Sequence, residues 1–300
     1  MHKLIVILGP TASGKSDLAI KLAKKYHGEI VSADSRQVYR GLNIGSGKIT
    51  KKEMQGVPHY LLDVANPKRK FTVFQFQTLA EKAIQKIYKR GKIPFLVGGT
   101  GFYIQSVVEG MTLPDVKPNW KLRKKLEKFS AEKLFSMLKK LDSKRAKTID
   151  RYNKRRLIRA IEIVKTTKKL VPKYQQKQKY QVLEIGIKKN KEELKKAINK
   201  RLLKRLDAGM IEEVKNLGLS FRRLEELGLE YKYVARYLQN KMDYEKMLEK
   251  LKNEIYQFSK RQMTWFKRDK KIHWITTQQE ADILIKNFLG APAATRTRNQ

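Results

Sequence analysis

Gly9, Pro10, Thr11, Ala12, Ser13, Gly14, Lys15 and Ser16 follow one another as GPTASGKS, a set of residue types that can hold a polyphosphate. The glycines let backbone N–H groups converge on an anion, Lys15 adds a mobile positive charge, and the Ser16 hydroxyl can ligate Mg²⁺. The pattern G-x-x-x-x-G-K-[ST] requires a strand before it and a helix after it. Residues 3–9, KLIVILG, form an apolar run ending in glycine, and Leu18, Ile20, Leu22 and Ala23 have the spacing of a helix packed on a sheet. An ordinary glycine turn does not account for Lys15 and Ser16 together. The loop alone leaves a kinase, a nucleotide hydrolase and an enzyme that binds some other diphosphate equally open.

Two further groups fall at the ends of apolar runs. Asp34 closes residues 29–34, EIVSAD, and the carboxyl ends of strands in an open parallel sheet border the ligand crevice. A carboxylate there can ligate a metal or act as a general base. The polar run Asp34, Ser35, Arg36 and Gln37 carries groups able to recognise a base edge, and it also fits a capped turn. Thr100, in GGTGFY after the run at 92–99, sits at the same rim and opens a helix. Asp63, closing the run at 59–64, is a second candidate Mg²⁺-supporting carboxylate and equally fits a surface turn.

The elements that must position these groups follow from the periodicity. Apolar runs at 3–9, 29–34, 59–64 and 92–99 read as strands, and Phe71, Phe74, Leu79, Ala83, Ile84, Ile87 and Tyr88 recur at helical spacing up to Arg90-Gly91. Strands alternating with helices predict an α/β fold with a parallel sheet, a P-loop-containing NTPase-like core. After Pro114 the chain turns to charged amphipathic helices, and runs at 182–187 and 271–276 return to the sheet. The expected domains are a core of residues 1–115 plus about 180–289, an inserted mainly helical, basic subdomain at about 116–179, and a disordered tail at 290–300.

The chain has 300 residues, no cysteine and four scattered histidines, so no disulfide framework, thiolate metal site or zinc site is expected. Its 68 Lys and Arg against 29 Asp and Glu give a net charge of +39. Residues 117–205 hold 32 basic and 8 acidic residues, against 18 and 8 in residues 1–115. A field of that sign favours a polyanionic partner, and its concentration in the middle of the chain assigns that partner to the helical region. The N-terminal apolar run is too short for a signal segment and no run is long enough to span a membrane, so a cytoplasmic protein is expected, with a monomer as the default.

Several stretches together closely resemble one family: GPTASGKSDLAIKLA, SADSRQVYRGLNIGSGK, HYLLDV, FLVGGTGFYIQS, RRLIRAIEI and KRQMTWFKR, in that order. They resemble the tRNA dimethylallyltransferases, also called tRNA isopentenyltransferases, with a likeness running from about residue 3 to 288. The resemblance implies transfer of a dimethylallyl group from dimethylallyl diphosphate to N6 of the adenosine 3′ of the anticodon, with the loop holding the donor's diphosphate and Mg²⁺. By matching position, residues 11–16 cradle that diphosphate, Asp34 is the general base, and Thr100 lies near the leaving oxygen and target base. Ser35, Arg36, Gln37, Arg123 and the stretch Arg155, Arg156, Leu157, Ile158 and Arg159 match positions that meet the tRNA anticodon stem-loop. Arg201 matches an arginine that stabilises the diphosphate. The chain departs from the family at ELGLEYKY, where Leu229 and Glu230 separate Gly228 from Tyr231, and at Gly45-Ser46 in place of Gly-Thr. A P-loop nucleoside or nucleotide kinase is the alternative, and the basic middle region argues against it.

Overall fold

The structure is a computed structural model, described for residues 1–112, 114, 116–172 and 176–290. The strands are β1 (His2–Leu8), β2 (Gly28–Ala33), β3 (His59–Tyr60), β4 (Ile93–Gly98), β5 (Tyr180–Ile187) and β6 (His273–Ile275). The helices up to the return of the sheet are α1 (Lys15–Lys25), α2 (Lys51–Met54), α3 (Val73–Lys89), α4 (Gly101–Val108), α5 (Trp120–Leu126), α6 (Ala131–Leu141), α7 (Ser143–Ala146) and α8 (Lys154–Thr167). After it come α9 (Lys191–Asp207), α10 (Met210–Asn216), α11 (Phe221–Leu227), α12 (Leu229–Leu238), α13 (Tyr244–Phe266) and α14 (Gln278–Gly290). The chain divides into two compact units, residues 111–177 and the residues on either side of them.

In the larger unit the six strands are all parallel, in the order β3-β2-β4-β1-β5-β6. Residues 4–8 of β1 are apolar and almost fully buried, as expected of a central parallel strand covered on both faces. One face packs Leu4, Val6 and Leu96 against Phe76, Ile84 and Ile87 of α3. The other packs Ile5, Ile7 and Ile185 against Ile20 and Leu22 of α1. Thr72 starts α3 with a capping box, its hydroxyl accepting from Gln75 N while the Gln75 side chain accepts from Thr72 N. Helices α9 to α13 build a further core around Leu42, Leu202, Leu227 and Tyr231.

The apolar run at 59–64 does not form the strand its composition suggests. Only His59 and Tyr60 pair with β2, because Leu61 and Asp63 take positive φ angles of 65° and 56°, which cannot continue a strand. Of the expected tail at 290–300, Gly290 instead ends α14, and residues 291–300 lie outside the described residues. In the smaller unit, α5 to α8 enclose Leu126, Leu134, Leu138, Leu157 and Ile161. Among the described residues no helix is long and apolar enough to cross a membrane.

Candidate active site

Sheet register brings the chemistry together. Leu8 of β1, Gly98 of β4 and Ala33 of β2 lie in one row, so Gly9, Gly99 and Asp34 leave the sheet side by side. With strands about 4.8 Å apart, the phosphate loop and Asp34 stand roughly 10 Å from each other with the Thr100 turn between them. A side chain at Gly98 would lie 2.2 Å from Ala33 O, so this close approach needs a glycine.

The loop has the backbone of an anion site. Ala12 and Gly14 take φ angles of 62° and 90°, turning successive amides toward one side. No side chain caps α1, and its first internal bond runs from Leu18 N to Gly14 O at 3.1 Å, which leaves the amides of Lys15 and Ser16 without a helical acceptor. Ser13 Oγ is buried without a partner, an orphan that a phosphate oxygen can satisfy. Two members of the loop are committed elsewhere. Pro10 has no N–H, and its carbonyl accepts from Lys15 Nζ at 3.1 Å. Thr11 N–H donates to Gln262 Oε1 at 2.9 Å, so residue 11 has only its hydroxyl to offer a ligand.

Lys15 is drawn down to about 8, chiefly by burial, with Asp34 opposing and Arg201 and Arg205 adding to the shift. Arg201 is itself held below its ordinary value, first by the protein packed around its guanidinium and then by Arg205, against Glu230, Asp17 and Asp34. Since Arg201 keeps access to solvent, screening tempers that repulsion. Arg201, Arg205, Thr11 and Ala12 line one small depression. Lys15 and Arg201, with Arg205 behind them, give the loop a positive field that favours an anion.

Asp34 fulfils the capped-turn reading without losing its chemistry. Its Oδ1 accepts from Arg36 N at 2.8 Å and Gln37 N at 3.3 Å, while Oδ2 has no hydrogen-bond partner among the described residues. Thr100 Oγ1 accepts from Ser35 N at 3.0 Å, and Thr100 N donates to Ala33 O at 3.2 Å, so the hydroxyl proton stays available to donate. Gln37 spends its amide inside the protein, donating to Gly47 O and accepting from Ser32 Oγ. Asp63 pairs with Lys48 at 2.5 Å, which makes it part of a surface turn. Ser16 is exposed at the start of α1, and among the described residues no cluster of three or more His, Asp or Glu could hold a metal. A single hydroxyl such as Ser16 Oγ could serve Mg²⁺ only with waters and phosphate oxygens completing its shell.

The residues expected to meet RNA in the smaller unit split in two. Arg155 and Arg156 are exposed, whereas Leu157 and Ile158 are core residues whose side chains cannot reach a ligand. Arg123 donates to Glu162 through Nε at 2.8 Å and Nη2 at 2.6 Å, and Arg159 Nη1 donates to the same carboxylate at 2.5 Å. The two guanidiniums share one buried carboxylate and keep a net positive charge between them.

Several residues beside the loop carry no local motif. Glu213 accepts from the amides of Asn43, Ile44 and Gly45 at 2.9, 2.6 and 3.0 Å, with Tyr231 Oη donating to it at 2.9 Å. Arg205 pairs with Glu230 at 3.2 Å and lies against Gly47, where a side chain would strike its guanidinium. The divergent ELGLEYKY segment is therefore a support for the 43–47 turn.

Residues 37–269 match the family model described as IPP transferase. A tRNA dimethylallyltransferase of Halothermothrix orenii is 41% identical over 283 residues, covering 90% of this chain and 86% of that protein. Another, tRNA dimethylallyltransferase 1 of Syntrophus aciditrophicus, is 43% identical over 275 residues, covering 89% and 90%. The crystal structure of a tRNA isopentenylpyrophosphate transferase from Bacillus halodurans superimposes with a TM-score of 0.72 at 36% identity, covering 97% of this chain and 96% of that one. A eukaryotic dimethylallyltransferase described as acting on tRNA gives a TM-score of 0.81 at 25% identity, covering 99% and 82%. With a family model spanning most of its length and relatives of this identity across nine-tenths of it, the chain belongs to the IPP transferase family.

Proposed function

We propose that the protein transfers a dimethylallyl group from dimethylallyl diphosphate to N6 of adenosine 37, immediately 3′ of the anticodon in tRNA, and releases diphosphate. Among residues, the row of strand ends carries the reading: an anion-ready loop, a threonine hydroxyl free to donate and a carboxylate with one open oxygen stand in that order. The order matches the reaction, with leaving group, bridging oxygen and nucleophile along one line.

The C1–O bond of the donor breaks with its electron pair going to diphosphate, and an N6–C1 bond forms. Lys15, the α1 N-terminus and Arg201 attract the charge that grows on diphosphate, and the Thr100 hydroxyl donates to the bridging oxygen. The N6 lone pair is conjugated with the ring, so Asp34 accepts its proton through Oδ2 as the new bond forms. Ser16 would hold Mg²⁺, which when bound would further neutralise the leaving group. The target base lies in a loop, where it can leave its stack at modest cost. Arg155 and Arg156 supply phosphate contacts for the anticodon stem, and Ser35 and Arg36 approach the target base. Every group in this account lies on one chain, so the proposed reaction does not require a second copy.

The test is incubation with Mg²⁺, labelled dimethylallyl diphosphate and unmodified tRNA. Label in tRNA at adenosine 37 is the expected result. Label in AMP alone, or ATP turnover without prenyl transfer, would overturn it.

A further inference from the structure

Gln262 lies on α13, far in sequence from the loop, and is buried at 8% exposure. Its Oε1 accepts from Thr11 N at 2.9 Å, and its Nε2 donates to Gly99 O at 2.8 Å. The orientation of the amide is dictated, since a backbone N–H can only donate and a carbonyl can only accept. One side chain therefore spans from Thr11, the third residue after β1, to Gly99, the first residue after β4. The next turn of α13 reinforces the contact: Trp265 lies so close under Gly101 that a side chain there would come within 2.3 Å of its ring, and Phe266 anchors the helix in the core.

We propose that Gln262 is a positioning residue: its carboxamide locks the phosphate loop to the Thr100 turn, fixing donor phosphate and the bridging-oxygen hydroxyl at one separation. The inference rests on the prenyl-transfer reading above. Glutamine suits the role because it carries a donor and an acceptor on one short plane, which neither Glu at neutral pH nor Met does. Thr100 N also donates to Ala33 O, and that bond fixes the Thr100 turn to the Asp34 side alone. Gln262 supplies the tie across β4 to the phosphate side. A misplacement of about 1 Å between reacting groups can cost on the order of a hundredfold in rate.

The experiment measures single-turnover transfer, donor KM, tRNA affinity and melting temperature for Gln262→Met, Gly99→Ala and the double variant. The Gly99→Ala side chain would lie 2.5 Å from Gln262 Nε2 and displace the carboxamide from the other end. Each single variant is expected to lower the transfer rate about ten- to hundredfold with tRNA affinity and melting temperature retained. The double variant is expected to be no slower than the slower single by more than about threefold, because both break one link. A Gln262→Met rate within threefold of wild type, a loss that follows melting temperature or tRNA affinity, or multiplicative losses in the double variant would overturn the proposal. Gln262→Glu, which keeps the acceptor for Thr11 but has no proton for Gly99 O, applies the same criteria if the Met variant does not fold. If wild type itself transfers no label to tRNA, the reading beneath the proposal has failed, whatever Gln262 does.

Discussion

Glu162 tests whether the arginines of the helical unit are structural or free for RNA. Its carboxylate is 0% exposed and accepts from Arg123, Arg159 and Asn119 N, while Arg123 and Arg159 remain 23% and 32% exposed. Burial pushes this carboxyl up, and its hydrogen bonds to Arg123, Arg159 and the Asn119 amide outweigh that and hold it below its ordinary value. Removing one member of such a buried network costs about 3–5 kcal/mol, and the partly solvated guanidiniums place Glu162→Ala near the lower figure. A unit spanning residues 111–177 has a stability on the order of 3–10 kcal/mol. A loss of about 3 kcal/mol corresponds to roughly a hundredfold fall in amide protection. Hydrogen exchange read by mass spectrometry on peptides from α5 and α8 is the assay, with peptides from β1 and β4 as the unaffected control. Protection within threefold of wild type in α5 and α8 would refute the reasoning. Because the folded value is depressed, this stabilisation is present above the ordinary glutamate range and is lost as pH falls through the folded value.

Asp34→Ala should retain donor binding and lower the transfer rate by about 10²–10⁴-fold, read in single turnovers, and a wild-type rate would remove Asp34 from the role of base. Lys15 in the free protein loses its proton as pH rises through about 8. Donor KM should therefore rise about fivefold between pH 8 and 9, and a flat profile in wild type would contradict that assignment. Arg155→Ala and Arg156→Ala should each weaken tRNA binding and reduce the slope of log affinity against log salt by about 0.7–0.9. An unchanged slope would show that these two arginines do not meet phosphates. Glu184, buried on β5, is pushed up to about 7 by burial and by Asp269, with Lys271 opposing and Glu109 adding. A raised carboxyl lowers folding stability as pH climbs from 4.5 toward 7, so Glu184→Gln should stabilise by roughly 1–3 kcal/mol at pH 8 and by little at pH 4 in urea unfolding.

The phosphate loop was legible because its chemistry is local: eight consecutive residues, a preceding apolar strand and a following helix supply its backbone amides, Lys15 and Ser16. The alternating apolar runs likewise announced a parallel sheet, and the strand ends marked Asp34 and Thr100, because a crevice at the carboxyl edge follows from the strand type alone. Residues 59–64 misled because apolar composition says nothing of the positive φ angles at Leu61 and Asp63. Arg123 and Arg159 match positions expected to meet tRNA, and the buried Glu162 that pairs with both belongs to a packing arrangement with no local signature. The same is true of Leu157 and Ile158, whose burial depends on which face α8 turns to its neighbours. Sequence by itself determined the loop, the fold class and the identity of the candidate base, all properties of short segments. Register placed Gly9, Gly99 and Asp34 in one row, and only the folded chain brought Gln262 across 251 positions to join two of those strand ends. Hydrogen bonds between distant segments depend on three-dimensional proximity, which no local spacing encodes.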